Sequence, residues 1–256
     1  MRSLFTLITL MVAMWANAEL RVVNLDADSN FREMLGNDTL TVDSLRVKGY
    51  LSHANLVPIS WMTNRSLEYL DLRECDIENN ALPHQYDGIN PTPYEGFFEG
   101  NAVTKLKTIL FPESLRILGP ASMLCCRNLT TLKLPSRMDS IGRLALSHLM
   151  MYIREIKIPE GVKTLPTACL YDNIRMTRLS LPQSIEVIDT FACGELGTLE
   201  FISLPKGLKR IKKCGFAYTS NMRDPQNIII PDSLIELGED AFLDVVIINL
   251  VFPEDC

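Results

Sequence analysis

Seven prolines, Pro112, Pro135, Pro159, Pro182, Pro205, Pro231 and Pro253, recur at intervals of 23, 24, 23, 23, 26 and 22 residues. Each closes a short phrase with apolar residues six, three and one places before it. The phrases are LKTILFP, LTTLKLP, IREIKIP, MTRLSLP, LEFISLP, PQNIIIP and IINLVFP, and only Pro225 breaks the rule. A fixed period in the twenties marks a solenoid, because one winding of that length cannot bury its own apolar face and must stack on its neighbours. The spacing therefore excludes an ordinary globular core and moves the search for function from pockets to surfaces.

Read as strands, the phrases point two residues inward before each proline, since side chains alternate along a strand. These pairs are Ile109/Phe111, Leu132/Leu134, Ile156/Ile158, Leu179/Leu181, Ile202/Leu204, Ile228/Ile230 and Leu250/Phe252. The proline ends the strand because it has no N–H to give to the ladder. A return half follows, with apolar pairs three and six residues on: Leu115/Leu118, Met138/Ile141, Val162/Leu165, Ile185/Ile188, Leu208/Ile211 and Leu234/Leu237. Gly119, Gly142 and Gly238 come next and are expected to turn sharply at positive φ. The expected fold is a solenoid with a parallel β ladder and short return strands and turns.

The unit L-x-x-I-x-L-P-x-x-L-x-x-I-G-x-x-A-F resembles the BspA-like leucine-rich repeat. Clear units cover residues 105–256. The second unit carries one extra residue and the fifth three, and the family's usual Cys near the coil end is clear only at Cys126. The resemblance implies a leucine-rich-repeat protein of the surface or secreted type, with an adhesion or host-interaction role and no cofactor. Residues 19–74 are expected to form an N-terminal cap, which hides the first coil. It would contain a short helix from Asn30 to Gly36 (with Phe31, Met34 and Leu35 on one face), a strand and turn at Asp43–Gly49, and a first leucine-rich unit at Ser66–Leu72.

Residues 1–18 read as a secretory signal peptide: Arg2, an apolar run from Leu4 to Trp15, then Ala16-Asn17-Ala18 as a cleavage site. No later segment resembles a membrane span. Residues 75–103, rich in proline and glycine, read as an inserted loop; its aromatics Tyr86, Tyr94, Phe97 and Phe98 are expected to tuck against the parent core. Seven cysteines in an exported chain leave at least one unpaired. Cys126, Cys169, Cys193 and Cys214 fall in the return half, where buried thiols act as small hydrophobes. The vicinal Cys125-Cys126 lacks a second pair and is not a zinc site.

No catalytic or phosphate-binding motif is present, and of the three histidines His148 is expected to be packed within a coil and His84 to bind no metal. An enzyme is not expected. The net charge of −6 argues against nucleic acid as a partner.

What remains is the outward strand face. Its candidate binding residues are Lys107, Lys133, Arg154, Lys157 and Arg178, a basic stripe containing one acid, Glu155, which passes into an apolar end with Phe201, Ile229, Ile248 and Val251. The partner would be a protein or glycan ligand; the bland alternative is that these charges only keep a regular sheet soluble. A second basic cluster, Lys206, Lys209, Arg210, Lys212 and Lys213, reads as a solvated face. A different class of reading is assembly, with the last coil (Ile247, Ile248, Leu250, Val251, Phe252) docking onto another chain.

Overall fold

A computed structural model describes residues 20–83, 104–219 and 226–252. Residues 1–18, read above as a signal peptide, loop residues 84–103 with His84, Tyr86, Tyr94, Phe97 and Phe98, the last repeat proline Pro253, and the side chain of Ile248 lie outside the described residues.

The chain winds as a stack of coils with three faces. The front face is built from β1 (Arg21–Leu25), β2 (Ser44–Leu51), β3 (Tyr69–Ile77), β5 (Thr108–Leu110) and β7 (Thr131–Lys133), hydrogen-bonded in that order. It continues as β9 (Glu155–Lys157) with β11 (Arg178–Ser180), and as β14 (Gln226–Ile229) with β16 (Ile247–Val251). The rear face pairs β4 (Ala81–Leu82), β6 (Ile117–Leu118) and β8 (Ser140–Ile141). It resumes with β10 (Thr164–Leu165), β12 (Val187–Ile188), β13 (Arg210–Ile211) and β15 (Glu236–Leu237). Every pairing is parallel. Residues 75–82, placed by the sequence reading at the start of the insert, finish β3 and form β4 within these ladders.

The inward pairs do build the core: Ile109, Phe111, Ile156, Ile158, Ile228 and Ile230 are buried, and Leu132, Leu181 and Leu204 pack against it. The return pairs from Leu115 to Ile211 are buried too. Each such side chain contributes about 1.5–3 kcal/mol when fully buried. The last coil departs from this expectation: Leu237 is 41% exposed and Phe252 51%, because no described residue stacks on its far side.

The third face corrects the glycine reading. Gly119, Gly142 and Gly238 are not among the positive-φ residues; the left-handed conformation falls instead on two residues per coil, four apart. These are Ala121/Cys125, Leu144/His148, Ala168/Asp172, Phe191/Glu195, Cys214/Tyr218 and Asp240/Asp244, all with φ between 53° and 61°. Left-handed geometry costs roughly 1–2 kcal/mol for an ordinary residue. It is offset here because each left-handed residue that precedes another coil donates its N–H to that coil, as in Ala121 to Arg143 O (2.7 Å) and Glu195 to Ala217 O (2.9 Å). The residue midway between them also donates to the next coil, and the alternate N–H groups close tight turns within the coil, for example Ala145 to Gly142 O at 3.2 Å. Glycine is needed at 142 for another reason: a Cβ there would lie 2.4 Å from Pro120 N in the preceding coil.

One boundary between coils lacks both ladders, whereas between β11 and β14 the front ladder alone is interrupted. β7 and β9 share no ladder on the front, and β8 and β10 share none on the rear. Elsewhere on the rear, the residue that follows each return strand donates back to the previous coil: Gly142 to Leu118 O (2.7 Å), Asp189 to Leu165 O (2.9 Å), Lys212 to Ile188 O (2.8 Å) and Gly238 to Ile211 O (2.7 Å). Pro166 holds that place at the broken boundary and has no N–H to give. The coil before it is also the one with 24 residues. The two sides stay joined by the third face (Leu144, Leu146 and His148 donating to Thr167, Cys169 and Tyr171) and by Met138 N–H to Glu160 O at 3.0 Å.

At the N-terminal end, α1 (Phe31–Leu35) is capped by the Asn30 side chain, which accepts from the N–H groups of Arg32 and Glu33. Phe31 and Leu35 are buried, but Met34 is 46% exposed, so the buried stripe of this short helix is the i, i+4 pair. The sequence reading did not include α2 (His53–Thr63), which replaces the return strand of the second coil and buries Leu56, Ile59 and Met62. Asn55 fastens it to α1, accepting from Phe31 N–H (3.0 Å) and donating to Ser29 O (2.8 Å). Cys75, Cys169, Cys193 and Cys214 are buried free thiols, Cys126 is buried too, and Cys125 is half-buried.

Candidate binding face

Parallel register sets the outward residues of the front ladder in rows. One row runs Ser44, Tyr69, Thr108, Thr131, and the next Arg46, Asp71, Leu110, Lys133. Past the broken boundary they resume as Glu155 beside Arg178 and Lys157 beside Ser180.

Asp71 organises the first part of this face. Its carboxylate is buried under two guanidinium groups: Arg73 donates through Nε (2.9 Å) and Nη2 (2.8 Å), and Arg46 through Nε at 2.9 Å. The sequence reading missed this group, since residues 46, 71 and 73 meet only when β2 and β3 align.

The stripe residues divide into two sets. Lys107 is bonded to Glu68 at 2.7 Å, and Arg178 sits between Glu155 (4.0 Å) and Glu200 (3.7 Å). Lys133, Arg154 and Lys157 are exposed and have no carboxylate within ion-pair distance among the described residues; Arg154 reaches the Arg175 carbonyl at 3.4 Å. Lys133 and Lys157 flank the broken boundary. Phe201 is 38% exposed, Ile229 69% and Val251 43%, so the far end of the face is apolar.

Four of the five residues of the second basic cluster are neutralised across coils. Lys209 bonds Glu186 (2.6 Å), Arg210 Glu236 (3.2 Å), Lys212 Asp189 (3.3 Å) and Lys213 Glu239 (2.8 Å). The contrast extends to sequence charge. Residues 104–177 contain 11 Lys and Arg against 5 Asp and Glu, a net of +6, in a chain whose total is −6. Residues 20–83 have 6 against 10, and residues 226–252 have none against 5. The middle coils are thus a basic belt between two acidic ends, and of its cations only Lys107 makes an ion pair with a carboxylate among the described residues.

The nearest approach to a catalytic constellation is on the third face. His148 Nδ1 lies 2.6 Å from Ser147 Oγ, and its Nε2 lies 3.3 Å from Asp172 Oδ2. Ser147 is buried, and its hydroxyl donates to Tyr171 O at 2.8 Å, so no substrate carbonyl reaches it. Burial pushes the His148 pKa down, against the pull of Asp172, and burial raises that of Asp172. The cluster packs coil against coil and is not arranged for acyl transfer. Among the described residues no group of three His, Cys, Asp or Glu could hold a metal, and no helix is long and apolar enough to cross a membrane.

The model of the BspA type leucine rich repeat region matches the chain in six copies, over residues 94–223 and 197–256. The chain is 25% identical to a leucine-rich repeat protein from Bacteroides ovatus ATCC 8483, with a TM-score of 0.56 over 86% of this chain and 54% of that one. It thus spans about half the length of that protein. A leucine rich cell surface protein from Faecalibacterium prausnitzii A2-165 is 14% identical (TM-score 0.47, 92% and 70% covered). The pneumococcal vaccine antigen PcpA is 19% identical (TM-score 0.36, 80% and 60% covered). No curated protein matches the chain.

Proposed function

Because the chain belongs to the BspA-type leucine-rich-repeat family, we propose that it is an exported recognition protein, which binds a protein or glycan through the front face of its solenoid and catalyses no reaction. Support for export is the apolar run Leu4–Trp15 followed by Ala16-Asn17-Ala18. The observation that carries the binding reading is the unpaired trio Lys133, Arg154 and Lys157, exposed on a regular sheet whose neighbouring cations are held by carboxylates. Cations left uncompensated steer an oppositely charged partner and contribute to its affinity.

The test is an array of extracellular-matrix proteins and surface glycans probed with the chain from Glu19 onward, beside a variant carrying Lys133→Glu, Arg154→Glu and Lys157→Glu. A ligand of the native chain is expected to lose about tenfold or more in affinity in the variant, chiefly through slower association at low salt. Unchanged affinity removes the front face from the reading.

A second reading, docking of the last described coil onto another chain, is favoured by Ile229, 69% exposed and paired in register with Val251, which is 43% exposed and followed by Phe252 at 51%. Contiguous exposed apolar surface marks contact sites. Light scattering is expected to show a mass that rises with concentration under this reading, and a constant monomer mass excludes self-docking.

A further inference from the structure

The gap in the rear ladder holds a concavity of about 480 Å³, lined by Arg137, Asp139, Ser140, Lys163, Thr164 and Pro166 among others. β8 and β10 meet across it without exchanging ladder hydrogen bonds. Its volume lies within the roughly 300–1,000 Å³ usual for small-ligand clefts. Two cations flank it, and neither makes an ion pair among the described residues. The next acid along the rear row, Glu186, is bonded to Lys209 at 2.6 Å and is drawn to Lys163 only through space, without an ion pair between them. The site also lies in the basic belt, where cations outnumber acids 11 to 5.

The remaining groups narrow the ligand. Asp139 lines this concavity with the two cations, and its carboxylate repels a purely anionic ligand and accepts well from hydroxyl groups. Ser140 and Thr164 add exposed hydroxyls that both donate and accept, and Pro166 offers an apolar ring. A polyacidic peptide satisfies the cations and leaves Asp139 opposed. A sugar acid satisfies all of them, with an oxyanion for the cations, ring hydroxyls for the carboxylate and hydroxyls, and an apolar ring face for the proline.

We propose that this concavity is a binding subsite for an acidic sugar residue of a polysaccharide. Arg137 and Lys163 hold its oxyanion, Asp139 accepts from its ring hydroxyls, and Ser140 and Thr164 complete the polar contacts. The site lies on the opposite face from the one proposed for recognition above and stands independently of it. The oxyanion chemistry is met by a carboxylate, as in uronic acids, or by a sulfate ester.

Calorimetric titration of the chain from Glu19 onward tests this with four probes: oligogalacturonate, dextran sulfate oligomers, neutral dextran and poly-glutamate. Saturable binding is expected to one or both acidic saccharides, the two arms separating carboxylate from sulfate, with none to neutral dextran. Arg137→Gln with Lys163→Gln is expected to weaken it about tenfold or more, and Asp139→Asn about threefold or more, each side chain acting through charge-assisted hydrogen bonds. All three residues are exposed, so the variants are expected to keep the native circular dichroism spectrum and melting temperature. The front-face triple variant is expected to bind the saccharide as the native chain does, so loss of this site and loss of the front-face ligand are read separately. Absence of saturable saccharide binding, poly-glutamate binding as tight as the saccharides, or undiminished binding in the Arg137 and Lys163 variant would overturn the assignment.

Discussion

Replacing Asn173 by leucine is expected to lower the free energy of unfolding by about 4 kcal/mol, each of the buried polar groups stranded by the change costing roughly 1–3 kcal/mol. Asn173 is 1% exposed and sits among apolar residues at the end of its coil. Its Nδ2 donates to Leu146 O (2.8 Å) in the preceding coil and to Leu170 O (2.7 Å) in its own. Its Oδ1 accepts from Leu149 N–H at 2.7 Å. Leucine fills a similar volume but strands the Leu149 N–H and the Leu146 carbonyl in an interior that water does not enter. The corresponding position two coils on is Thr219, whose Oγ1 donates to Phe216 O at 2.7 Å. Asn173→Thr should therefore keep only the bond to Leu170 O, still stranding the Leu149 N–H and the Leu146 carbonyl, and lose nearly as much stability as the leucine variant. Urea unfolding checks both variants, and a loss below about 1 kcal/mol for the leucine variant would show that the three bonds contribute little net stability.

Asp71→Ala is the second large effect expected, a loss of about 3 kcal/mol. Removing one member of a buried ion cluster costs about 3–5 kcal/mol when the surviving charge stays buried. The low end applies because the Arg73 side chain is 56% exposed and Arg46 29%, so both recover water. The same site gives the chain an acid-sensitive component. Burial alone raises the Asp71 pKa, but hydrogen bonds from the Arg73 side chain and backbone and from Arg46 together outweigh it, leaving the folded-state pKa below the ordinary 3.8. A depressed carboxyl pKa stabilises the fold above the unfolded value, and that contribution is lost as pH falls through the folded value. Native stability measured from pH 6 down to pH 2 is thus expected to fall more steeply below about pH 4 than that of Asp71→Ala. Parallel curves would place the acid sensitivity elsewhere.

Much of the architecture could be read from spacing because the proline period reports the length of one winding directly. The alternation before each proline then gave the inward residues, from Ile109 to Ile230. Features that depend on two coils at once were harder to see. The left-handed positions hold Ala, Leu, Phe, Cys, His, Asp, Glu and Tyr, so residue type has no bearing on them; they exist because the neighbouring coil takes their N–H groups. Lys107 and Glu68 are 39 residues apart, and the insert between them hid the pair that neutralises one end of the stripe. α2 was missed because Pro58 interrupts its pattern and its exposed side includes Val57 and Trp61, the latter stacked under Arg65 at 3.7 Å. Asn173 was invisible for a simpler reason, since nothing in a single coil marks a polar residue as internal. Pro166, by contrast, was legible as a proline, but its meaning required knowing which N–H its position should have supplied.

That missing donor has a mechanical consequence. In a stacked protein the free energy is close to a sum over single turns and the junctions between neighbours, and the junction after the second proline-ended turn has lost two of its three seams of hydrogen bonds. Compliance should concentrate there, as in a rod with one weak joint. Tension along the axis would part the molecule at that joint, into a capped N-terminal piece and a C-terminal piece, before either unravels. A ligand lodged between Arg137 and Lys163 would grip both pieces and brace the joint against load.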